Sequence, residues 1–382
     1  MPATILIVLA VVILLAWANG ANDTFKGVAT LWGSHTLSFR GALWWGLATT
    51  FLGSMLSVGL ARGLVARFSG KGLVPETLVG QPGFLLAVGV GAGATVLLAT
   101  RVGLPVSTTH ALLGGLCGAA WASEGFSGVR LGGLTSFFLA PLLLGPLMAA
   151  LGAAILYPPL RWWRRVKGLD EESCVCVEAA EASLQPSASA GAFETTMARA
   201  SMVAPVIHVG KQTECRVHRR GPGPLGIRIS TLLDVAHVAA SGAVGFARGL
   251  NDTPKIAALL LLAPTVGKGE GLALVAAAMA VGGWLGSRHV ARTLSWKITS
   301  LNTGQATVGS LVTAGLVSLA SVAGLPVSTT HVSSGSLFGI GAVTGGARWK
   351  TIGSITTAWV VTLPLSAGLG ALAAVMFGRA FQ

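Results

Sequence analysis

The chain has 382 residues, of which 52% are hydrophobic and only 10% are charged, and its mean hydropathy is +0.73. A typical soluble domain is about 25% charged, so this composition excludes an ordinary soluble protein. The net charge of +13 lies mostly in predicted loops, which favours membrane topology over nucleic-acid binding as its explanation.

Long apolar runs predict an all-α polytopic membrane protein. About 20 apolar residues are needed to cross about 30 Å of hydrocarbon. The predicted crossings cover residues 3–19, 41–61, 83–100, 108–122, 131–157, 231–249, 271–287, 306–322, 329–345 and 352–377. The first run lacks a preceding basic region, so we interpret it as a crossing rather than a cleaved signal peptide.

The region 158–228 differs from its flanks, because it is rich in Ser, Ala, Glu and Arg and has no sustained apolar run. It predicts a partly helical linker between a first membrane repeat, 1–157, and a second, 229–382. The basic stretch "RWWRRVKG" and further arginines place this linker in the cytoplasm by the positive-inside rule. Five crossings on each side then place both termini outside the cell membrane.

Cysteine and histidine residues in the linker leave two interpretations open. The residues concerned are Cys174, Cys176, His208, Cys215 and His218. They could bind a metal, but their spacing matches no standard zinc pattern. The other interpretation is a plain cytoplasmic loop whose cysteines stay reduced.

Two polar elements occur in the same order in both halves. "ANGANDTFKGVATL" precedes "GLPVSTTH" in the first half, and "ARGLNDTPKIAALL" precedes a second "GLPVSTTH" in the second. From Asn22 to His110 the chain advances 88 positions, and from Asn251 to His331 it advances 80. Halves of about five crossings each must insert with opposite orientation. This predicts inverted-topology repeats with broken or re-entrant helices and a site near the membrane midplane.

The repeated "GLPVSTTH" predicts an anion site. Pro105 cannot continue a helix, and Ser107 is then a good N-cap for the next helix. The free N–H groups of a helix start, with its dipole, attract anions, and neutral hydroxyls add donors. We expect a small tetrahedral oxyanion to bind Ser107, Thr108, Thr109, Ser328, Thr329 and Thr330. The alternative is that these small residues only allow close helix packing.

The histidines that end each copy, His110 and His331, leave three roles open. They could orient a neighbour, transfer protons, or pack with a single hydrogen bond.

The Asn-Asp-Thr element predicts a cation site. Asp23 and Asp252 are carboxylates at membrane depth, which by default indicate function. Each follows a stretch that resembles the end of a half-helix, whose freed carbonyls would suit Na⁺ together with the carboxylate and an Asn amide. The list of candidates is Asn22, Asp23, Asn251 and Asp252, with Thr24 and Thr253 in support. The alternative is that each Asp caps the following helix, and the two roles can coexist.

A lysine follows each Asp by three positions, Lys26 in the first half and Lys255 in the second. On a helix this places Lys and Asp on one face. Each Lys could neutralise its Asp, contact the anion, or take the place of a cation. Arg248 could add positive charge there, or extend to the membrane interface.

These doubled signatures resemble the inorganic phosphate transporter (PiT) family, whose members carry a Gly-Ala-Asn-Asp-type and a Pro-Val-Ser-Thr-Thr-His-type signature in each half. The resemblance covers nearly all of both halves. It implies a phosphate carrier with inverted repeats, co-transported Na⁺ or H⁺, no covalent cofactor, and often a homodimer. It also implies that Asn22 and Asn251 help to bind the anion, and that Asn22, Asp23, Asn251 and Asp252 together support cation and anion coordination. Gln305 would be a polar residue near the site, with a role in cation coupling.

One departure from the family bears on coupling. Many members carry Asn where this chain has Lys26, whereas Lys occurs here in both halves. A Lys beside each Asp competes with Na⁺, which favours proton coupling or another tetrahedral anion such as sulfate. The remaining alternatives are an anion channel, a structural scaffold, and an enzyme, for which no G-x-S-x-G or H-E-x-x-H motif is present.

Overall fold

The computed structural model describes residues 3–168, 173–178, 206–211, 226–261, 267–296 and 301–378. Helices of the first half are α1 Ala3–Asp23, α2 Phe25–Gly33, α3 Phe39–Leu60, α4 Arg62–Phe68, α5 Pro82–Arg101, α6 Thr108–Glu124 and α7 Leu131–Val166. Helices of the second half are α8 Ile229–Leu261, α9 Lys268–Gly286, α10 Arg288–Trp296, α11 Thr303–Val322, α12 Thr329–Thr344 and α13 Trp349–Gly378. The all-α membrane fold is thereby confirmed.

The two halves repeat the same order of helices. The continuous pair α1 and α2 corresponds to α8, and α3 corresponds to α9. Helices α5 and α11 both have 20 residues and differ in numbering by 221, as do the two repeated histidines. The last helices of each half, α7 and α13, are both long and contain proline.

Seven stretches of the described residues are long and apolar enough to cross a membrane. The predicted crossings 108–122, 231–249 and 329–345 are not among them. Helices α6 and α12 have only 17 and 16 residues, and at 1.5 Å per residue they reach about 25 Å, short of about 30 Å of hydrocarbon. They are shorter partners of α5 and α11, and their lengths lie at the lower limit of the range for a membrane-crossing helix. Helix α8 is long enough, but it carries the charged Arg248, Asp252 and Lys255.

The structure corrects the predicted break at the Asn-Asp-Thr elements. In the first half only Thr24 separates α1 from α2, and its backbone stays helical at φ −57° and ψ −38°. Its N–H still bonds the carbonyl of Gly20 at 3.2 Å. In the second half the element lies inside the continuous helix α8, with Pro254 in its interior. The expected half-helix ends with freed carbonyls are therefore not formed. One carbonyl, that of Leu250, lacks its helical hydrogen bond, because Pro254 four residues later has no N–H.

Terminal helices pack across the halves in a matched way. Helix α13 packs on α5 and α6, and α7 packs on α12. Four glycines allow these contacts, because a Cβ at any of them would meet a backbone carbonyl of the partner helix. The pairs are Gly114 with Leu363, Gly118 with Ala367, Gly335 with Pro146 and Gly339 with Ala150. Close backbone approach through small residues is the usual basis of helix association in lipid.

Residues 160–235 form a separate compact unit, and residues 1–159 with 236–382 form another. The described core of the smaller unit is an antiparallel sheet of β1 Ser173–Glu178, β2 Val206–Lys211 and β3 Gly226–Arg228, in the order β2-β1-β3. We predicted a partly helical linker, and these strands are a difference from that prediction. The hypothesis of a metal site in the linker concerns Cys and His side chains that lie outside the described part of the structure.

Candidate functional site

The repeated "GLPVSTTH" builds two equivalent helix starts. Ser107 accepts a hydrogen bond from the His110 N–H at 3.1 Å, and Ser328 accepts one from the His331 N–H at 3.2 Å. The chain turns into each segment at a glycine with positive φ, +71° at Gly103 and +67° at Gly324, a conformation that glycine adopts without strain. The predicted caps are therefore present, and the first N–H groups of α6 and α12 remain available as donors.

The two helix starts meet each other through reciprocal hydrogen bonds. Thr109 Oγ1 donates to the Val327 carbonyl at 3.1 Å, and Thr330 Oγ1 donates to the Val106 carbonyl at 2.8 Å. The rings of His110 and His331 lie 4.4 Å apart between centroids. Each half thus supplies a hydroxyl to the loop of the other, and the predicted residues lie in one place.

Lys26 lies at the centre of the first of two polar groups. Its ammonium pairs with the Asp23 carboxylate, donates to the Thr330 hydroxyl, and donates to the Val106 carbonyl at 2.7 Å. A lysine ammonium has three N–H donors, and all three are used.

Lys255 occupies the equivalent position in the second polar group. Its ammonium donates to the Thr109 hydroxyl and to the Val327 carbonyl, both at 2.7 Å. The Asp252 carboxylate lies 3.6 Å away. The ion pair is therefore looser than that of Lys26 and Asp23.

Asn22 and Asn251 tie each Asn-Asp-Thr element to the loop before the serine cap. The Asn22 amide donates to the Leu104 carbonyl and accepts from the Val106 N–H, at 3.0 and 3.1 Å. The Asn251 amide donates to the Val327 carbonyl at 3.2 Å. These bonds hold the loops against α1 and α8.

Asn19 and Arg248 join the two groups, and Asn19 is not among the residues predicted from the sequence. Arg248 donates to Asn19 Oδ1 at 2.9 Å, and Asn19 Nδ2 donates to Thr108 at 2.9 Å and Asp23 at 3.1 Å. Arg248 Nε also lies 3.8 Å from Asp252. A signal was available, because Asn19 and Arg248 occupy the same position, three before the motif asparagine, in the two repeats.

The whole cluster is buried, and its formal charge is positive when every group is ionised. Among the described residues, the buried Asp, Glu, Lys and Arg side chains are Asp23, Lys26, Arg248, Asp252 and Lys255. Three cations and two carboxylates leave one positive charge uncompensated. A charge at membrane depth costs about 3 kcal/mol on insertion scales, so this surplus favours the binding of an anion.

The remaining predicted residues make the following contacts. Thr24 bonds the Gly20 carbonyl at 2.7 Å, Thr253 bonds Ser54 at 2.7 Å, and Thr329 begins α12 and is buried. His331 stacks on Trp359 at 3.9 Å between ring centroids. Gln305 exchanges hydrogen bonds with Asn302 in a capping box at the start of α11, and these are its hydrogen bonds within the described part of the chain.

The described residues contain no group of three or more His, Cys, Asp or Glu side chains that could hold a metal ion. A sodium site at Asp23 or Asp252 needs amide, hydroxyl and carbonyl oxygens in addition to the carboxylate. Such oxygens surround both aspartates, but the lysine ammonium groups already contact them.

Comparison with known proteins finds similarity along nearly the whole chain. A model of the phosphate transporter family matches residues 19–370. A probable low-affinity inorganic phosphate transporter of Mycobacterium bovis is 28% identical over 381 residues, covering 96% of this chain and 76% of the relative. The protein of the same description from Bacillus subtilis is 28% identical over 376 residues, covering 97% and 96%.

A solved structure described as the sodium-dependent phosphate transporter has the same fold. It aligns with a TM-score of 0.74 and 20% identity, covering 99% of both chains.

Proposed function

The chain belongs to the phosphate transporter family, and on this premise we propose that it is a secondary transporter that carries inorganic phosphate through the Lys26–Lys255 site by alternating access. The observation that carries the proposal is the buried cluster with one surplus positive charge, placed where two helix N-termini meet. Helix starts and neutral hydroxyls bind an oxyanion through hydrogen bonds, and a modest net charge lets the site release it.

Phosphate would bind by replacing the bonds that now join the two loops. The hydroxyls of Thr109 and Thr330 donate to carbonyls of the opposite half. An anion between the helix starts would take over these donors, along with the N–H groups of the first turns. The ammonium groups of Lys26 and Lys255 lie beside the same hydroxyls and would add charge-assisted hydrogen bonds.

The reciprocal arrangement supports alternating access. Contacts around Val106 and around Val327 are equivalent, so one set can open while the other stays closed. We propose that the halves are inverted repeats in the cell membrane, with the linker in the cytoplasm, both termini outside, and a homodimeric assembly.

For coupling, we propose that the two lysines fill the cation role at the aspartates. Each ammonium lies among a carboxylate, a carbonyl and a hydroxyl oxygen, which are the oxygen ligands that a hard cation takes. A sodium ion would have to displace an ammonium group that the chain itself supplies. We therefore expect transport to depend on the proton gradient and to need no Na⁺.

The test is uptake of radiolabelled phosphate into proteoliposomes under an imposed pH or Na⁺ gradient. We expect a pH gradient to drive saturable accumulation and counterflow, and a Na⁺ gradient to have no effect. Uptake that merely equilibrates without counterflow would indicate a channel. If sulfate inhibits uptake as strongly as unlabelled phosphate does, the assignment of phosphate as the preferred substrate is wrong.

A paired variant tests the site itself. Changing Thr109→Val with Thr330→Val removes both bridging hydroxyls at nearly constant volume. A control is Thr344→Val at the other end of α12, where the hydroxyl bonds only carbonyls of its own helix. Transport should fall by about tenfold or more, the factor for losing about 1.4 kcal/mol of anion binding, and the control should keep its activity. Full transport activity in the double variant would show that phosphate does not bind at these hydroxyls.

A further inference from the structure

A cavity lined by hydroxyl groups ends at Lys26. Its volume of about 20 Å³ holds roughly one water molecule. Its polar walls are Lys26, Thr30, Ser310, Thr313, Ser333 and Ser336. Thr313 and Ser336 bond each other at 2.9 Å, and Ser333 donates to the Lys26 carbonyl at 3.2 Å.

A wider cavity of about 170 Å³ adjoins this one. The two share Thr30, Leu294 and Leu337 as walls, and these residues lie between them. The wider cavity is lined at its far end by Arg348, which is exposed and donates to the Trp296 carbonyl at 3.2 Å. Two neighbouring cavities with polar residues in their walls therefore lie between an exposed arginine and a buried lysine.

At the equivalent positions of the other half, all within the described residues, the hydroxyl side chains are replaced by apolar residues. Matching the two Asn-Asp-Thr elements places Leu259 opposite Thr30, and matching the two histidines places Ala92 opposite Thr313 and Leu112 opposite Ser333. These three residues are at most 1% exposed. They belong to one apolar core around Lys255, together with Leu15 and Leu116.

The remaining equivalents are glycines whose space is already filled. Gly89 stands opposite Ser310, and Gly115 opposite Ser336. A Cβ at Gly89 would lie 2.6 Å from Val11, and one at Gly115 would lie 2.9 Å from the Val88 carbonyl. The halves share a backbone plan, but one side is lined by hydroxyl groups and the other is packed with hydrocarbon.

We propose that the hydroxyl groups of Thr30, Ser310, Thr313, Ser333 and Ser336 line the path by which phosphate moves between the site and the side of the membrane where Arg348 lies. The core of Leu15, Leu112, Leu116 and Leu259 is the gate that closes the opposite side. The inference rests on the proposed function. By the positive-inside rule the side of Arg348 is the cytoplasm.

Hydroxyls in membrane helices also bond carbonyls of their own helix, as Thr313 does to Gly309 at 2.8 Å. Such residues serve close packing as well as a polar path. The two roles differ in whether water reaches the side chain, and this can be measured directly.

The experiment is cysteine modification at matched positions of the two halves. The four native cysteines are replaced by serine or alanine, and single cysteines are introduced as Ser333→Cys and Leu112→Cys. Thr313→Cys and Ala92→Cys form a second pair, and Arg348→Cys is the exposed marker. A charged, membrane-impermeant thiol reagent is then added to oriented vesicles from one side at a time.

We expect Ser333→Cys to react at least about tenfold faster than Leu112→Cys, the factor for an opening cost of about 1.4 kcal/mol at the sealed position. Reaction should come from the side where Arg348→Cys reacts. Inorganic phosphate should slow it, and modification should block phosphate uptake.

Equal rates within both matched pairs would overturn the inference, as would unreactive cysteines at 333 and 313 in a protein whose marker reacts. Should one variant of a pair fail to fold, the other pair decides. A third outcome is fast labelling from one side that phosphate does not slow, in a protein that does not accumulate phosphate. This result would support the polar path but show that phosphate is not its substrate. The failure of the path and the failure of the proposed function are thus distinguishable.

Discussion

The two Asn-Asp-Thr elements differ in one charged position, and this difference organises the site. In both, a lysine contacts a loop carbonyl of its own half and a threonine of the other half. The first copy carries Asn19 where the second carries Arg248. Asp23 pairs closely with Lys26, whereas Asp252 lies between Lys255 and Arg248 at 3.6 and 3.8 Å. The two elements therefore share the same arrangement of hydrogen bonds but differ in charge, and Arg248 supplies the surplus positive charge.

The largest effect should come from removing the carboxylate that balances two cations. Asp252→Asn leaves Arg248 and Lys255 without their common counter-charge, whereas Asp23→Asn deprives chiefly Lys26. Breaking a buried ion pair costs about 3–5 kcal/mol, and we expect Asp252→Asn to lie at the upper end. Thermal unfolding in detergent, followed for both variants, compares the two. Asp234→Asn, in the same helix but only partly buried, should change the free energy of unfolding by less than about 0.5 kcal/mol. A larger loss for Asp23→Asn would reverse the comparison.

Arg248→Asn makes the two elements alike and should have the next largest effect. It removes the donor to Asn19 Oδ1 and one of the two cations beside Asp252. Hydrogen bonds to charged groups contribute about 1.5–3 kcal/mol, and we expect a loss of that size in the free energy of unfolding.

The exchange variant separates position from charge. Asn19 and Arg248 contact each other, so Asn19→Arg combined with Arg248→Asn returns a guanidinium to the same space. We expect the double variant to be more stable than Arg248→Asn alone and to regain part of its phosphate uptake. If the loss in the free energy of unfolding of the double variant equals the sum of the losses of the two single variants, the cation must come from α8.

The packing of the terminal helices should be equal in the two halves. Gly118→Ala on α6 and Gly339→Ala on α12 each direct a methyl group at a carbonyl of the crossing helix. Overpacking costs about 1–3 kcal/mol, and the two losses should agree within about 0.5 kcal/mol because the contacts are equivalent. Gly315→Ala, with no atom within 4 Å of the added Cβ, is the control and should be neutral or stabilising by up to about 1 kcal/mol. Unequal losses in the free energy of unfolding at 118 and 339 would show that the helix packing, as well as the charge distribution, differs between the halves.

Local features of the sequence were sufficient to predict the parts of the site that are built locally. The string Pro105 to His110 contains a helix breaker, a cap and a helix start, and the structure forms each of them. The spacing of Asp23 and Lys26 places them on one helix face, where they pair.

Contacts between segments far apart in the chain were not predictable in the same way. The partners of Lys26 lie 80 and 304 positions away, and one of them is a backbone carbonyl, which has no side-chain signature. The predicted helix break failed for a related reason, because whether Thr24 unwinds a helix depends on tertiary packing rather than on its neighbours. The strands of the linker have short apolar segments, and periodicity alone does not separate short strands from other structure.

The smallest effect is expected where the halves are interchangeable. Thr100 and Ser321 are equivalent residues one turn before each loop. Thr100 accepts from Asn22 at 3.0 Å, and Ser321 donates to Asn251 at 3.2 Å. The exchange Thr100→Ser with Ser321→Thr moves one methyl group and keeps both hydroxyls, so the free energy of unfolding should change by less than about 1 kcal/mol. Ser321→Ala should instead cost about 1–2 kcal/mol, because the Asn251 amide oxygen loses its donor in a buried position. If the exchange costs as much as the deletion, the positions are not equivalent; if it is tolerated, the asymmetry of the site is confined to the charge at position 248 and to the hydroxyl-lined path.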